Sequence, residues 1–246
     1  MNLRYLPRRA RKLWHLLPDP LYRRGLKLGV AAAIEHVGAI RSTPAATVID
    51  VGANIGQFSL MTRAVHPTAI IHAFEPLREM GNVYAKLFAG DSRAVLHRCA
   101  AGASASTSEL NVSKQPDSSS LLPISDQQSA LFPGTEQAGI ERVKVERIDD
   151  VLDVAALPRP ILVKLDVQGF ELEALKGMPR LLEQARWVYV EVSFTSLYTG
   201  QPLANDITHW LNKNGFELTG IYNTTYSSNG VNLQADLLFT RLDPSA

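Results

Sequence analysis

The stretch Thr47-Val48-Ile49-Asp50-Val51-Gly52-Ala53-Asn54-Ile55-Gly56-Gln57-Phe58 decides the fold of this 246-residue chain. Its β-branched start predicts a buried strand that ends at an acid, and its glycine-bounded turn opens into a predicted helix. A second apolar run, residues 69–74, ends at Glu75-Pro76. Ligands of open α/β sheets bind outside the carboxyl ends of the strands. Two strands that each end in a carboxylate, with a glycine turn between them, therefore predict a cradle for an adenosine-type cofactor.

The pattern that begins at Thr47 continues as short apolar runs that alternate with helical spacing. Seven strands are predicted, at residues 47–51, 69–74, 94–99, 161–167, 187–192, 216–222 and 235–240. Helices are predicted between them, at about 57–65, 77–89, 149–154, 169–183 and 205–214. Such alternation is typical of a Rossmann-like α/β fold with a mostly parallel seven-stranded sheet and helices on both faces. The last two strands flank Asn229-Gly230 and are predicted to form an antiparallel C-terminal hairpin.

The chain is predicted to divide into a basic N-terminal helical arm, residues 1–43, and a main domain, residues 44–246. Residues 1–41 contain nine Lys/Arg and two Asp/Glu, a net charge of +7, whereas the rest of the chain carries −6. Apolar residues at helical spacing predict one helix from Leu21 to Ile40. A basic arm can meet an anionic membrane surface, but a solvated arm or a subunit contact in an oligomer is the preferred interpretation.

Composition limits the compartment in which the chain is expected. Cys99 is the single cysteine, so an internal disulfide is impossible and a reducing compartment fits. The chain contains no run of 18 apolar residues, so no transmembrane helix is predicted. Prolines interrupt the N-terminus, where a signal peptide would need a continuous apolar region. The predicted location is the cytoplasm, with peripheral contact to the inner face of the membrane through the arm as the alternative.

The alternation of strands and helices is interrupted at about residues 102–147, which are rich in Ser, Gln, Pro and Gly. Residues 109–112 and 143–147 are predicted to pair as an antiparallel ribbon around a long loop. Long loops inside compact domains are usually functional or disordered. The insertion is therefore a candidate lid over the ligand-binding edge.

The glycine turn does not match the dinucleotide-binding fingerprint G-x-G-x-x-G, because Asn54 occupies the place of the second glycine. Asp50 puts a negative charge beside the turn, which suits a cationic ligand better than a pyrophosphate. S-adenosylmethionine carries an ammonium and a sulfonium and no phosphate, so the electrostatics favour it over NAD. Glu75 can accept hydrogen bonds from both ribose hydroxyls. The predicted cofactor-binding residues are Asp50, Gly52, Asn54, Gly56, Glu75 and Ala100.

A second unusual stretch is Lys164-Leu165-Asp166-Val167-Gln168-Gly169-Phe170-Glu171. Lys164 and Asp166 fall on one face of a buried strand, where charged residues need partners. A hydroxyl acceptor is a poor nucleophile until it loses its proton, so Asp166 is the first candidate general base and Glu191 the second. Lys164 is the third candidate catalytic residue, although a structural ion pair also explains it. A divalent metal is the minority interpretation, because a clear third ligand is missing.

With these two stretches, the chain resembles the FkbM family of S-adenosylmethionine-dependent methyltransferases over about residues 47–240. Further family landmarks are Leu175-Lys176-Gly177, Ser119-Ser120-Leu121 and Val145-Glu146-Arg147-Ile148-Asp149-Asp150. The resemblance implies a class I methyltransferase fold and O-methyl transfer to a small molecule, sugar, glycan, glycolipid or natural-product scaffold. Family members commonly have Glu where this chain has Gln168, which removes a charge beside the expected acceptor site.

Three other hypotheses about the function of the chain remain open at this point. An NAD-dependent oxidoreductase is disfavoured by Asn54, and a catalytically silent protein that keeps the fold is supported only by Gln168 and the polar insertion. A nucleic-acid methyltransferase is suggested by the basic arm alone, and no amino-methylation motif follows the fourth core strand, so a nucleic-acid partner is not expected. The histidines, His36 included, are expected to serve packing or to lie on the surface.

Overall fold

The structure is a computed structural model that describes residue 14 and residues 16–242. Its helices are α1 Pro20–Lys27, α2 Val37–Arg41, α3 Gln57–Val65, α4 Arg78–Leu87, α5 Asp126–Leu131, α6 Ile148–Val151, α7 Glu171–Lys176, α8 Pro179–Gln184 and α9 Ala204–Lys213. Its strands are β1 Thr47–Val51, β2 Ile70–Phe74, β3 Ala94–His97, β4 Ala100–Ala101, β5 Ser106–Ser113, β6 Gln137–Glu146, β7 Ile161–Leu165, β8 Ala185–Ser193, β9 Phe216–Tyr226 and β10 Asn232–Arg241.

The main sheet has seven strands in the order β3-β2-β1-β7-β8-β10-β9. β1 lies at its centre and pairs in parallel with β2 and β7, so that Asp50 lies beside Ala73 on one side and Lys164 on the other. Only β10 runs antiparallel to its neighbours β8 and β9. The predicted mostly parallel sheet and antiparallel C-terminal hairpin are therefore confirmed. All five residues of β1 and of β7 are buried, as expected for strands covered on both faces.

Two apolar cores cover the two faces of this sheet. One contains Ile49, Val163 and Val190 with residues of α7, α8 and α9. The other contains Val48 and Leu60 with residues of the N-terminal region such as Ile40. Residues 16–41 therefore contribute to the core of the sheet. The division of the chain at residue 43 stays a prediction, and most of the basic segment of residues 1–17 lies outside the described residues.

The insertion forms a second sheet of three strands in the order β4-β6-β5. The predicted antiparallel pairing of β5 with β6 is confirmed, but the register differs: residues 109–112 pair with 139–142, and Val145 pairs with Ser106. The strands are longer than predicted, and residues 114–136 connect them through a 3₁₀ turn and α5. This connection folds back toward the carboxyl end of β7, since Ser120 Oγ donates to the carbonyl of Gln168 at 2.7 Å.

The single helix predicted from Leu21 to Ile40 is wrong. The chain leaves α1 after Lys27 because Gly29 adopts φ +76°, and residues 30–33 form neither helix nor strand before a 3₁₀ turn leads into α2. The amide of Ala33 instead donates to the carbonyl of Gln57, at the start of α3. The apolar residues whose spacing suggests one helix belong instead to a segment that is not continuously helical and that folds against α3.

The helix predicted over residues 169–183 is divided into α7 and α8. Pro179 has no amide hydrogen and disfavours the α conformation of Met178, which has φ −136°. Gly177 packs so closely on the carbonyl of Gly102 that a Cβ would lie 2.0 Å from that oxygen. In residue 14 and residues 16–242, no helix has the length and apolar content needed to cross a bilayer.

Candidate active site

A cavity of about 450 Å³ opens at the carboxyl ends of β1, β2 and β7. Its wall is formed by the turn after β1, by Glu75-Pro76 after β2, and by the turn after β7 that begins at Asp166. Residues 116–121 of the insertion and parts of residues 29–36 complete it. The cavity lies at the edge where ligands of open α/β sheets bind.

The turn after β1 packs against the turn after β7 with no space for a side chain. Gly52 adopts φ +78°, and a Cβ on it would lie 1.8 Å from the carbonyl oxygen of Asp166. Asn54 also adopts a left-handed conformation, with φ +49°, and its Oδ1 accepts from the amide of Ile55 at 2.7 Å. Asparagine tolerates this conformation because its side chain can bond the local backbone. Residues 52–55 of this turn line the cavity.

Glu75 joins the second strand to this turn. Its Oε2 accepts from the amide of Asn54 at 2.8 Å, and its Oε1 accepts from the amide of Leu77 at 2.7 Å. Burial raises the pKa of Glu75 to about 7, although both amide bonds act in the opposite direction. Each carboxylate oxygen keeps a further lone pair that can accept a ligand hydroxyl.

Asp50 lies behind the cavity wall and is fully buried. Its Oδ1 is 3.2 Å from Nζ of Lys164, and its Oδ2 accepts from Oγ of Ser59 at 2.6 Å. Lys164 Nζ also donates to the carbonyl of Gly52 at 3.1 Å. Burial would lower the pKa of Lys164, but Asp50 and Asp166 outweigh it and the net pKa is raised. Lys164 is thus a charged link between β1, β7 and the glycine turn.

Gln168 organises the carboxylates on the β7 side of the cavity. Its Nε2 donates to Oδ1 of Asp166 at 2.8 Å and to Oε2 of Glu191 at 2.9 Å. Its Oε1 accepts from the hydroxyl of Tyr198 at 2.7 Å. Burial, followed by the negative charge of Asp166, raises the pKa of Glu191 well above its usual range. A neutral amide at residue 168 can bridge two carboxylates, whereas a third carboxylate would repel both.

The structure brings most of the predicted site residues into one wall. Those that line the cavity are Gly52, Asn54, Glu75, Ala100, Lys164 and Asp166. Asp50, Gly56 and Glu191 are not part of the wall but support it from behind. Gly56, with φ +96°, packs under α4, where a Cβ would lie 3.0 Å from the ring of Tyr84. The roles predicted for all nine residues stay predictions.

Sequence reasoning missed two groups that line the cavity, His36 and Asp117. Burial and the nearby charge of Asp166 raise the pKa of Asp117. His36 was expected to pack or to lie on the surface, and the helix predicted around it gave no reason to place it near β1. The break at Gly29 brings it there. The only available signal for Asp117 was its position in the insertion.

Within residue 14 and residues 16–242, no group of three or more His, Cys, Asp or Glu side chains is arranged to hold a metal ion. In the cavity wall, Glu75 accepts from two backbone amides, and Asp166 accepts from the Gln168 amide and lies near Lys164. The described residues thus offer hydrogen-bond acceptors and negative charge to a ligand.

The strand order, the antiparallel β10 and the position of the cavity define a Rossmann-like fold of the class I methyltransferase type. The sequence profile of the methyltransferase FkbM domain matches residues 50–218. The chain therefore belongs to the FkbM methyltransferase family, whose methyl donor is S-adenosylmethionine.

Curated relatives of the chain include proteins named as methyltransferases. The chain is 30% identical over 197 residues to methyltransferase sdnD of Sordaria araneosa, covering 70% of this chain and 74% of that protein. It is 27% identical over 171 residues to the hexuronic acid methyltransferase AglP of Haloferax volcanii, covering 65% and 64%. A solved structure assigned as an O-methyltransferase from Klebsiella pneumoniae has a TM-score of 0.50 at 11% identity, with 95% and 97% of the two chains covered. That structural likeness concerns the fold alone.

Proposed function

We propose that the protein transfers the methyl group of S-adenosylmethionine to a hydroxyl oxygen of a small molecule or sugar. The observation that carries the proposal is the position of Asp166, a partly exposed carboxylate in the cavity wall against the glycine turn. When bound, S-adenosylmethionine supplies a methyl group activated by a sulfonium. The part of the protein is then to align an acceptor oxygen with that methyl and to remove the hydroxyl proton.

The described residues fit the donor. Glu75 is a buried acceptor in the cavity wall and is proposed to bind the ribose hydroxyls through its two oxygens. Gly52, which lines the cavity and has no side chain, allows close approach of the methionine portion. Asp50 is proposed to act through Lys164 and the carbonyl of Gly52, because it does not line the cavity itself. The negative charge around the turn suits a cationic ligand.

Asp166 is proposed to hydrogen-bond the acceptor hydroxyl and orient it. Its Oδ1 is fixed by Gln168, and its Oδ2 lies 3.7 Å from Nζ of Lys164. Glu191 supports this arrangement through the same Gln168 amide and is held in turn by Gln234. Asp166 is thus pre-organised, which is what an in-line displacement requires of a positioning group.

The acceptor is proposed to be rich in hydroxyl groups. Asp117, Ser119 and Ser120 line the cavity on the side of the insertion and supply polar contacts to such a molecule. A sugar, a glycan or glycolipid, or a hydroxylated natural product fits this chemistry. The hexuronic acid named for AglP is consistent with the sugar class.

The test is a transfer assay with methyl-labelled S-adenosylmethionine and a panel of methyl glycosides and hydroxylated aromatic compounds. Wild-type protein is expected to label at least one acceptor, and NMR of the product is expected to place the methyl on oxygen. The variant Asp166→Asn should lose about 100-fold or more in rate while its affinity for S-adenosylhomocysteine is unchanged. Label on nitrogen or carbon contradicts O-methylation, and bound S-adenosylhomocysteine without transfer to any acceptor supports a silent protein.

A further inference from the structure

His36 is held in the cavity wall by a polar network that joins it to the C-terminal hairpin. Its Nδ1 lies 3.2 Å from Oδ2 of Asp236 on β10 and 3.0 Å from the hydroxyl of Tyr189 on β8. The same Asp236 oxygen accepts from the Tyr189 hydroxyl at 3.0 Å and from Nδ2 of Asn223 at 2.8 Å. Within residues 16–242, these contacts all use Nδ1 of the imidazole.

The charge of Asp236 decides which ring nitrogen carries the proton. Burial would raise the pKa of Asp236, but hydrogen bonds from His36, Asn223 and Tyr189 outweigh it, and the net pKa is lowered. A carboxylate at 3.2 Å repels a bare nitrogen lone pair and attracts an N–H donor. Nδ2 of Asn223, itself a donor, also lies 3.1 Å from Nδ1, but it donates to the Asp236 carboxylate at 2.8 Å, and the full charge of that carboxylate outweighs the amide dipole. Nδ1 therefore carries the hydrogen, and the basic lone pair of neutral His36 is on Nε2.

Two aromatic side chains that also contact each other hold the ring in addition to the contacts at Nδ1. It makes edge-to-face contacts with Phe58, at 5.5 Å between centroids, and with Tyr189, at 5.7 Å. Phe58 also lines the cavity, and Lys164 lies over its ring at 5.4 Å. Since the ring belongs to the wall and its Nδ1 edge is bound to the hairpin, the free Nε2 edge is the one available to a ligand.

We propose that His36, oriented by Asp236, is the general base of the reaction, an inference that rests on the proposed O-methyl transfer. His36 Nε2 accepts the hydroxyl proton while the acceptor oxygen bonds to the methyl carbon. The bond from that carbon to sulfur breaks, and its electron pair stays on sulfur as a neutral thioether. Asp236 then stabilises the imidazolium through Nδ1, as the carboxylate that orients a catalytic histidine does.

In this assignment His36 removes the hydroxyl proton, and not Asp166, the base predicted from the sequence. Asp166 is a weaker candidate because one oxygen is bound to the Gln168 amide and the other faces the ammonium of Lys164. Asp166 keeps its role in positioning the acceptor. His36, Asn223 and Asp236 all fall outside residues 50–218, the part of the chain that matches the family profile. The pair is therefore built by the flanking segments of this chain.

The first test is the tautomer of His36, read by long-range ¹H–¹⁵N NMR of protein labelled at histidine and assigned with His36→Gln. The expected spectrum at pH 8 shows Nδ1 protonated and Nε2 bare, and Asp236→Asn is expected to reduce that preference. A ring protonated on Nε2 overturns the inference. This measurement needs neither methyl donor nor acceptor.

The second test compares His36→Gln with His209→Gln, a matched control on the exposed side of α9. With an acceptor that wild-type protein labels, His36→Gln is expected to lower kcat about 100-fold or more and leave S-adenosylhomocysteine affinity unchanged. Added imidazole should restore part of the rate of His36→Gly, which a purely structural role would not allow. A His36→Gln rate within threefold of wild type overturns the inference alone, whereas absence of transfer by wild-type protein overturns the proposed function.

The pH profile of the rate should also report on this pair. The charged and titratable groups around the His36 ring are Glu35 beside it in the chain, Asp236 on β10, Tyr189 on β8, Tyr222 on β9 next to Tyr189, and Lys164 across Phe58. Loss of the Asp236 charge removes stabilisation of the imidazolium. In a plot of kcat against pH, Asp236→Asn should therefore shift the acidic limb to lower pH and lower the plateau value of kcat. An unchanged limb and plateau contradict the positioning role of Asp236.

Discussion

At the scale of single residues, the contacts of the motif residue Lys164 favour a structural ion pair, while its predicted catalytic role stays a prediction. The sequence places it in a buried strand and leaves open whether it acts in catalysis or satisfies a charge. Its Nζ contacts Asp50, Asp166 and the carbonyl of Gly52. Asp50 and Asp166 raise its pKa against the effect of burial, which favours the protonated form over a role as a base. Its sequence spacing indicated a charged pair but could not name Asp50, the partner on the neighbouring strand.

Removal of the Lys164 charge should be costly because Asp50 would be left buried and unpaired. We expect Lys164→Met to lower the free energy of unfolding by about 3–5 kcal/mol at pH 7. The matched control Lys176→Met breaks only a half-exposed ion pair with Glu173 and should cost less than about 1 kcal/mol. Urea denaturation of the three proteins checks this, and equal losses for both variants would contradict the structural role of Lys164.

At the scale of elements, strands were predicted better than helix ends. β1 and α3 match their predicted bounds, because β-branched runs and a glycine turn are local signals. The helix breaks at Gly29 and at Gly177–Pro179 were missed. In both cases the apolar spacing fits a continuous helix, and the deciding contact is distant in sequence: Gln57 for the first break and Gly102 for the second. The position of His36 in the cavity wall was missed as well, because it depends on the break at Gly29.

The turn between β7 and α7 depends on Glu171, whose Oε1 accepts from the amides of Val167 and Gly169, each at 3.1 Å. Burial raises the pKa of Glu171 to about 7 from an ordinary 4.5. Between pH 4.5 and about pH 7 the folded state therefore holds a proton that the unfolded state has lost, so stability falls as the pH rises through this range.

The variant Glu171→Gln keeps an oxygen for both amides and removes the buried charge. It is expected to be more stable than wild-type protein by on the order of 1–3 kcal/mol at pH 8, with the difference vanishing near pH 4.5. Denaturant titrations at several pH values measure this. Glu173→Gln, a partly exposed neighbour on α7, should show no such pH dependence. A Glu171→Gln protein that is less stable at pH 8 contradicts the account of this turn.

At the scale of the whole molecule, the site is assembled from segments far apart in the chain. The glycine turn, Glu75 and Asp166 were predicted because they follow strands of one parallel sheet, whose carboxyl ends meet at one edge. Residues 29–36, residues 116–121 and Asp236 reach the same region through loops and through the antiparallel hairpin. The insertion was predicted only as a lid, and no local pattern names its cavity residues or brings His36 and Asp236 together. The groups at the strand ends could therefore be predicted, and those on the loops and the hairpin could not.

The central claim is that Glu75 and the glycine turn hold the methyl donor, with Glu75 bound to its ribose hydroxyls. Calorimetric titration with S-adenosylhomocysteine tests it on wild-type protein, Glu75→Ala and the exposed control Glu79→Ala. Loss of hydrogen bonds to a charged group is expected to weaken binding to Glu75→Ala about 10- to 100-fold and leave Glu79→Ala unchanged. Because burial raises the pKa of Glu75 to about 7, wild-type affinity should increase from pH 6 to pH 8 as the carboxylate forms. Equal affinity of wild-type protein and Glu75→Ala at pH 8 would contradict the account.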